Sequence, residues 1–285
     1  DRFMIIEAVG RALGEIGAIQ TESTAVLVGT SFGGDFSNEL QLGLRLPETC
    51  ATLRPILSEA SLDDLQIDSV LEDYEKTLLE EYPAVLDETG SFTASSLATR
   101  VSKVFNLMGG AFAMDAGIHS TAAVLAAAQD LLGDGACSTV ICALAQRHMD
   151  LFSFEGLSLE IERRAREGGS PECSMDPESL IPGEGVVVLV LTRAADGTKG
   201  PLIESIATPS GPTSRASRNA RFPLRALVGN LGAADAAAEL LESASRPSVV
   251  IRRSDEAGET EIVMTQSQGR PAKKVAAVFP GQGSQ

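Results

Sequence analysis

The sequence predicts an α/β fold with a layered core, and three features lead to that prediction. Strand-like and helix-like patterns alternate along the chain, as they do where helices cover a sheet. The strand-like run at 183–191 (GEGVVVLVL) is apolar without alternation, which is typical of a strand buried on both faces. The helix-like segment at 120–132 (STAAVLAAAQDLL) is apolar on nearly every side, which indicates a buried central helix.

Several segments have the composition and spacing of helices. In the first, at 1–16, Phe3, Ile6, Val9 and Leu13 lie on one face. Because this helix begins abruptly, with no strand before it, we expect the chain to be a piece of a longer protein. The segment at 47–85 is strongly acidic and is interpreted as a solvated amphipathic helix. The remaining helix-like segments are 95–105, 120–132 and 233–241.

Short runs of apolar and β-branched residues predict the strands. They lie at 24–29, 111–115, 138–144 and 183–191, with two more within 249–263 and a last one at 275–279. The loop at 31–34 follows the first strand, and in open α/β sheets functional sites collect at such strand ends. The other predicted loops are a Ser-, Pro- and Arg-rich stretch at 210–225, a polar linker at 266–274 and a Gly-rich segment at 280–285.

Composition and charge limit the possible classes of function. With 44% hydrophobic and 22% charged residues over 285 positions, the chain can bury a sizeable core and does not have a disordered composition. Its net charge of −16 repels phosphate backbones and anionic lipids, which argues against nucleic acid and membrane partners. The sequence has neither a signal-peptide pattern nor an uncharged apolar run of about 18 residues, so we predict a cytoplasmic protein.

The four cysteines predict neither a disulfide framework nor a metal site. Cys50, Cys137, Cys142 and Cys173 form no CxxC pair, and Cys137 and Cys142 lie in an apolar run. We expect small, buried hydrophobic side chains in a reducing compartment. The GEG at 183–185 has the spacing of neither a P-loop nor a dinucleotide-binding loop, so a tight turn before a strand is favoured and no cofactor is predicted.

Four segments, in this order, resemble motifs of the β-ketoacyl synthases of modular and iterative synthases. They are AFAMDAGIHSTAAVL at 111–125, GDGACSTVICAL at 133–144, MDPESLIPGEGVVVLV at 175–190 and GNLGAADAAA at 229–238. The resemblance extends over most of the chain, from Asp1 to Val263. It implies a thiolase-like, layered αβαβα ketosynthase fold that is reduced in its second half. The implied N-terminal half is 1–197, and the shortened C-terminal half is 198–264.

The last residues resemble a different family. VAAVFPGQGSQ at 275–285 is similar to the first strand and loop of malonyl-CoA:acyl-carrier-protein transacylases, where Gln282 matches a glutamine of the oxyanion hole. That family's nucleophile is a serine in a G-H-S-x-G elbow, which does not occur here, and Ser284 is not that serine. The resemblance implies that 265–285 is a linker and the first strand of an acyltransferase domain. Among megasynthases, this order of domains resembles polyunsaturated fatty acid synthases best.

The catalytic positions of the ketosynthase family are not occupied by catalytic residues here. The position of the family's cysteine holds Ile118, or Gly117 if the register shifts by one residue. The position of its second histidine holds Ala233. The H-G-T-G-T string that carries the first histidine does not occur between Leu191 and Gly229, a stretch much shorter than usual. Either that loop is deleted, or a stretch of the natural chain is missing from this sequence.

The two histidines allow one competing hypothesis. His119 lies beside Ser120 and near Asp115, which suggests a Ser-His-Asp set. Adjacent helical residues point about 100° apart, so His119 and Ser120 face each other poorly, and we favour a polar residue at a helix N-terminus. Asp115 is expected to orient the turn as a hydrogen-bond acceptor. His148 is expected in a loop without a catalytic role.

The resemblance implies a structural role for the chain. In the family, the strand before the cysteine pairs with its copy across a two-fold axis, and here that strand contains Ala111, Phe112, Ala113, Met114 and Asp115. We therefore expect dimerisation and placement of the adjacent acyltransferase, with acyl carrier protein domains as further partners. The phosphopantetheine of the carrier protein and malonyl-CoA would be substrates of neighbouring domains rather than cofactors of this one.

Three alternatives remain at this point. A chain-length-factor-like protein would form a heterodimer with an active ketosynthase and shape its acyl tunnel. The chain could also belong to a polypeptide whose activity is malonyl or acyl transfer to a carrier protein. Residual decarboxylation is disfavoured because the histidines that handle the carboxylate and the enolate are missing.

Overall fold

The structure is a computed structural model that describes residues 2–31, 35–60, 62–81, 94–147, 181–195, 199–207, 223–255, 258–268 and 276–280, with short pieces at 154–156, 158–159, 162 and 166. The chain divides into two compact units. One contains Asp1–Phe32, Ala94–His148 and Glu160–Gln285, and the other contains Gly33–Thr93 and Met149–Leu159. The second unit is therefore an insertion in the sequence of the first.

Helices and strands alternate through the first half of the described chain, as predicted. The helices are α1 (Arg2–Ile16), α2 (Asp35–Glu59), α3 (Asp64–Glu81), α4 (Ser95–Phe105), α5 (Ser120–Gly133), α6 (Pro223–Val228) and α7 (Asp235–Glu242). Short 3₁₀ turns lie at Thr21–Ser23, Gly117–His119 and Gly232–Ala234. The strands are β1 (Thr24–Thr30), β2 (Ala111–Met114), β3 (Thr139–Gln146), β4 (Gly185–Arg193), β5 (Lys199–Ala207), β6 (Ser248–Asp255), β7 (Gly258–Gln268) and β8 (Ala276–Pro280).

The described strands form one eight-stranded sheet in the order β2-β1-β3-β4-β8-β5-β7-β6. β1 pairs in parallel with β2 and with β3, and Val26 lies opposite both Ala111 and Ile141. From β3 to β6 every pairing is antiparallel. Parallel neighbours need long crossover connections, and α4 and α5 lie in the connections that lead to β2 and to β3.

The central strands β1, β3 and β4 are covered on both faces. Leu27 of β1 belongs to a buried cluster that includes residues of α5, whereas its neighbours Val26 and Val28 belong to a second cluster with residues of α1 and α4. Residues of β3 and β4 alternate between the same two clusters. Helices thus cover both faces of the sheet, which explains the unbroken apolar runs and confirms the predicted layered α/β fold.

The sequence pattern misses two elements of this unit. β5 contains Gly200, Pro201, Glu204 and Ser205, which interrupt the apolar pattern of a strand. It is held in the sheet because β8 and β7 pair with its two sides. α6 begins at Pro223, inside the stretch predicted as a loop at 210–225, and proline suits the first turn of a helix. The loop residues up to 222 lie outside the described part of the chain.

The C-terminal strands agree with the prediction in number and differ in their limits. The two strands expected within 249–263 are β6 and β7, which form an antiparallel hairpin. β7 extends to Gln268, so the polar linker predicted from 266 begins later than expected because ladder pairing with Lys199 continues to that residue. The strand predicted at 275–279 is β8, which pairs with β4 and β5. Whether an acyltransferase domain begins there stays a prediction.

The second unit contains the helices α2 and α3, which pack against each other. α2 begins at Asp35, earlier than the predicted 47. It continues through Pro47 and Pro55, although proline usually marks a helix boundary, and this explains why the pattern places the start of the helix too late. On α3, Ile67 and Leu71 are buried one turn apart while most other residues are exposed, as expected of a solvated amphipathic helix. No helix in the described ranges is both long and apolar enough to cross a membrane.

Arg193, at the end of β4, caps the C-terminus of α5. Its Nε donates a hydrogen bond to Leu132 O at 3.0 Å, and its Nη2 donates to Leu132 O and to Gly133 O. The last carbonyls of a helix have no partner within the helix, and the negative end of the helix dipole attracts a cation. Arg193 therefore fixes the C-terminal end of α5 to the C-terminal end of β4.

We predict that Arg193→Met lowers the free energy of unfolding by about 1–2 kcal/mol, because it removes a charged donor and keeps most of the apolar stem. Denaturant unfolding followed by circular dichroism measures the change. Arg246→Met is the matched control, since Arg246 is exposed, and it should change stability by less than about 0.5 kcal/mol. Equal losses in the two variants would contradict the capping role.

Candidate functional site

A tight turn joins β2 to α5, at the place where the sequence analysis located the family's nucleophile. Gly117 has a φ of +54°, a left-handed conformation that glycine adopts without strain. Asp115 Oδ1 accepts a hydrogen bond from Gly117 N at 3.2 Å, as predicted for an acceptor at this turn. The Ser120 hydroxyl donates to Gly117 O at 2.8 Å and accepts from Ala116 N at 3.0 Å. These bonds place residue 118 just before the N-terminus of α5.

Ile118 occupies this position with a half-buried hydrocarbon side chain. The N-terminus of a helix stabilises a thiolate, which is why reactive cysteines often lie there. An isoleucine has no atom that can be deprotonated or can attack a carbonyl carbon. Among the described cysteines, Cys137 comes nearest in sequence, but it follows the opposite end of α5. The turn therefore has the shape of a nucleophile turn without the nucleophile.

The second predicted position, Ala233, lies in the 3₁₀ turn Gly232–Ala234, which contacts the turn Gly117–His119. Its methyl group is fully buried. The Ala233 backbone is held on two sides, because Thr121 Oγ1 donates to Ala233 O at 2.8 Å and Ala233 N donates to Gln146 Oε1 at 3.1 Å. The structure thus brings together the two segments that resemble catalytic loops, and neither presents a catalytic side chain.

A close backbone contact joins the GEG segment to the loop that precedes this second turn. Asn230 N donates to Ile181 O at 2.7 Å, and Gly183 N donates to Asn230 O at 2.9 Å. A Cβ atom on Gly183 would lie 2.0 Å from Val228 O, so only glycine fits. Pro182 pairs with Asn230 in an isolated parallel bridge, residues 183–184 form no turn, and Gly185 is the first residue of β4, so the tight turn predicted at 183–185 is wrong. Residues 175–180 of the same motif lie outside the described chain.

The residues of the competing Ser-His-Asp hypothesis have other partners. His119 is buried, and its Nδ1 lies 3.0 Å from Thr260 Oγ1 on β7. Ser120 is fully buried, and its hydroxyl donates to a backbone carbonyl rather than being held ready to attack a substrate. Asp115 is exposed and binds the turn. The geometry does not support a triad, and His148 lies outside the described residues.

A buried cluster of three charged side chains escaped the sequence analysis. Arg253 of β6 donates from Nη2 to Asp235 Oδ2 and to Glu239 Oε2 of α7, both at 2.8 Å. The side chains are 3% to 7% exposed. The four-residue spacing of Asp235 and Glu239 places them on one face of a helix, which is the only sequence signal for the cluster. The position of Arg253 in a strand does not indicate that it is buried.

The described cysteines are free thiols. Burial raises the pKa of Cys142 far above its ordinary value. Burial also raises the pKa of Cys137, and a backbone hydrogen bond with Ala25 opposes this shift. Both side chains are thus neutral thiols near neutral pH, which are poor nucleophiles, and they confirm the prediction of small buried residues. Cys50 is half-buried, and Cys173 lies outside the described chain.

The strand predicted to form a dimer lies at one edge of the sheet. Among the described strands, only β1 pairs with β2. The side chains of Ala111, Ala113 and Met114 are half-buried, whereas Phe112 is 50% exposed and Asp115 is exposed. An edge strand presents unpaired N–H and C=O groups that a further strand can bind.

The sequence analysis also considered metal ligands and an acyltransferase oxyanion loop. Over the residues that the structure describes, no group of three or more His, Cys, Asp or Glu side chains is arranged to hold a metal ion. Gln282, predicted to belong to an oxyanion loop, lies outside them.

Comparison with known proteins points to one family. Residues 3–197 match the family described as "Beta-ketoacyl synthase, N-terminal domain", which is more than half of the chain. No curated protein matches the sequence significantly.

Solved structures are similar in fold at low sequence identity. "PfaC Keto synthase-Chain length factor" is 16% identical with a TM-score of 0.58, and the match covers 99% of this chain and 36% of that one. The ishigamide ketosynthase/chain length factor is 16% identical with a TM-score of 0.48, covering 87% and 75%. The 3-oxoacyl-(acyl carrier protein) synthase III of Pseudomonas aeruginosa PAO1 is 12% identical with a TM-score of 0.44, covering 95% and 83%. With the family match, the first similarity confirms a thiolase-like ketosynthase fold.

We predict that iodoacetamide at pH 8 labels Cys50 in the folded protein at least about 100-fold faster than Cys137 or Cys142. Because a raised pKa leaves less thiolate at a given pH, and burial blocks access, the two buried thiols should react only after unfolding. A Cys173→Ser background simplifies the mass spectrum, and guanidinium chloride provides the unfolded control. Rapid labelling of Cys142 in the native protein would contradict its burial.

Proposed function

We propose that this chain, which belongs to the β-ketoacyl synthase family, has a structural rather than a catalytic role in a polyunsaturated fatty acid or polyketide-type synthase. The observation that carries the proposal is the pair of contacting turns in which Ile118 and Ala233 stand at the family's cysteine and histidine positions. The first histidine has no match between β5 and α6, although residues 208–222 lie outside the described chain.

The chemistry of the family requires the side chains that these turns lack. A ketosynthase accepts an acyl chain on a cysteine thiolate, and histidines assist decarboxylation of the malonyl unit and stabilise the enolate. A half-buried isoleucine cannot form a thioester. An alanine that is fully buried leaves no space in which an imidazole could act from the same position. Both changes favour a domain released from catalysis.

The edge position of β2 supports dimerisation as the remaining function. A two-fold axis that joins two copies of an edge strand makes them antiparallel, so one sheet continues through both subunits. Antiparallel pairing of β2 with its copy places the exposed Asp115 near the start of the partner strand, away from the other Asp115. The exposed Phe112 supplies apolar area near the centre of the same strand. The charge of Asp115 therefore does not oppose pairing of identical chains.

Placement of an acyltransferase and contact with acyl carrier protein domains complete the proposal. Support for the first comes from sequence order, because residues 275–285 follow the ketosynthase-like segments and resemble the start of a malonyl transferase. In this arrangement malonyl or acyl transfer to a carrier protein is the activity of the longer polypeptide, and this chain supports it.

A chain-length-factor-like role is the second candidate. It is favoured by the fold similarity to "PfaC Keto synthase-Chain length factor", a protein whose name contains both components. In this version β2 pairs with an active ketosynthase rather than with its own copy, and the chain shapes the acyl tunnel of that partner.

We predict that the chain releases no CO₂ from malonyl-carrier protein and forms no C–C bond when an acyl-carrier protein is added. Ile118→Cys should remain inactive in condensation, because a thiolate alone lacks the groups that stabilise the enolate. Liquid chromatography with mass spectrometry of the carrier protein measures both reactions, with a cysteine-containing ketosynthase as positive control. Turnover by the unmodified chain would overturn the structural proposal.

We predict that the protein is a homodimer and that Phe112→Lys weakens it by at least about 100-fold, because lysine on an edge strand opposes further pairing and the two lysines would lie close together. Sedimentation equilibrium over a range of concentrations measures the dissociation constant.

Val250→Lys is the matched control for the dimer. Val250 is an exposed apolar residue on β6, at the opposite edge of the described sheet. This substitution should leave the dissociation constant unchanged. A monomer that forms a stable complex with a cysteine-containing ketosynthase would favour the chain-length-factor role, and equal weakening by both variants would refute the assignment to β2.

A further inference from the structure

The buried charge cluster of Arg253, Asp235 and Glu239 joins β6 to α7, and each of these two elements contacts one of the turns that hold Ile118 and Ala233. Asp235 is the first residue of α7 and follows the turn Gly232–Ala234 directly. Arg253 lies on β6, a strand that contacts the turn Gly117–His119. The cluster therefore links a strand at the first turn to a helix at the second turn, beside α5, which contacts both turns and α7 itself.

A second route connects Arg253 to the first turn. Thr260 lies opposite Arg253 in the hairpin, and its hydroxyl donates to Arg253 O at 3.4 Å. The oxygen of the same hydroxyl lies 3.0 Å from His119 Nδ1. A continuous set of buried contacts thus runs from His119 through Thr260 to Arg253 and on to α7.

The charges of the cluster do not cancel. One guanidinium faces two carboxylates, and a single nitrogen, Nη2, bonds to both. Taking ions out of water is costly, and a buried carboxylate without its cation is much less stable than one that is paired. Arg253 is consequently the group on which both carboxylates depend. Either carboxylate alone would suffice to balance it.

We propose that these three side chains form a latch that holds the two former catalytic turns in one fixed arrangement. The Arg253 side chain holds the turn Gly232–Ala234 through Asp235, and the Arg253 main-chain carbonyl is linked through the Thr260 hydroxyl to His119 of the turn Gly117–His119. Breaking the charge balance at Arg253 releases both turns together, including the turn Gly117–His119, which is linked to Arg253 through Thr260 of β7. The inference concerns the folded chain itself and does not depend on whether it dimerises or on what it binds.

Hydrogen exchange measured by mass spectrometry tests the latch in the full chain. Arg253→Met should raise exchange by about 100-fold or more in both turns, because it leaves two buried carboxylates without a cation. Arg253→Lys, which keeps one nitrogen donor, should restore most of the protection. Arg252→Met is the control, since Arg252 is 52% exposed on the same strand and pairs with half-buried carboxylates. Unchanged exchange at Gly117–His119 in Arg253→Met would overturn the proposal.

Amide variants keep the test decisive if Arg253→Met fails to fold. Glu239→Gln and Asp235→Asn each remove only the surplus negative charge and should change the exchange rate by less than about threefold. The double variant leaves the Arg253 cation buried and unpaired, so its exchange rate should rise by far more than the product of the two single-variant fold-changes. Adding Arg253→Met to the double variant removes every charge of the cluster. This triple variant should melt near the wild-type temperature, yet the amides of both turns should exchange about tenfold faster. Wild-type protection in the uncharged variant, or multiplicative single effects, would refute the latch.

Discussion

Two-sided coverage of β1, β3 and β4 is the constraint on which the rest of the structure depends. Every residue of β1 and β3 is buried, so neither face of these strands can present a reactive group to solvent. The strands therefore offer only their ends to a ligand or partner. The turn after β2, the glutamine at the end of β3 and the glycine segment before β4 lie at one end of these strands, and the segment around Ala233 packs among them. Functional positions collect there because the core leaves no other place for them.

The core that imposes this constraint is also the part that sequence patterns predict best. Continuous apolar runs identify β1, β3 and β4 because both faces of these strands need hydrophobic residues. β5 is missed because Pro201 and Glu204 interrupt its apolar pattern, and it is held in the sheet by pairing with β8 and β7. The motifs identify Ile118 and Ala233 as the residues at the two catalytic positions, and the structure adds that their turns are in contact. The partners Thr121, Gln146 and Thr260 are not, since a polar residue's partner depends on tertiary placement. Burial of Arg253 is hidden for the same reason, because its two carboxylates are close only in the folded chain.

Contacts of the backbone hold the shape of the site without help from a reactive side chain. Gly183 fits against Val228, Asn230 bonds to the chain before β4, and the carbonyl and amide of Ala233 each have a buried side-chain partner. None of these interactions needs a cysteine or a catalytic histidine. The fold and the chemistry of such a domain can therefore be lost independently, and a family match reports the first without the second.

The insertion of α2 and α3 between β1 and α4 creates a long interval between the synthesis of β1 and that of its first partner strand. β1 is completed at Thr30, but its first partner, β2, begins about 80 residues later at Ala111. At about 5–20 residues per second, a strand that is fully buried in the folded protein waits roughly 4–16 s on the ribosome without a neighbouring strand. Of the described helices that share its buried cluster, α1 is made before β1, whereas α4 follows only shortly before β2. The packing of α1, through Ile5 and Val9, consequently acts as an early cover for a strand that would otherwise be free to aggregate.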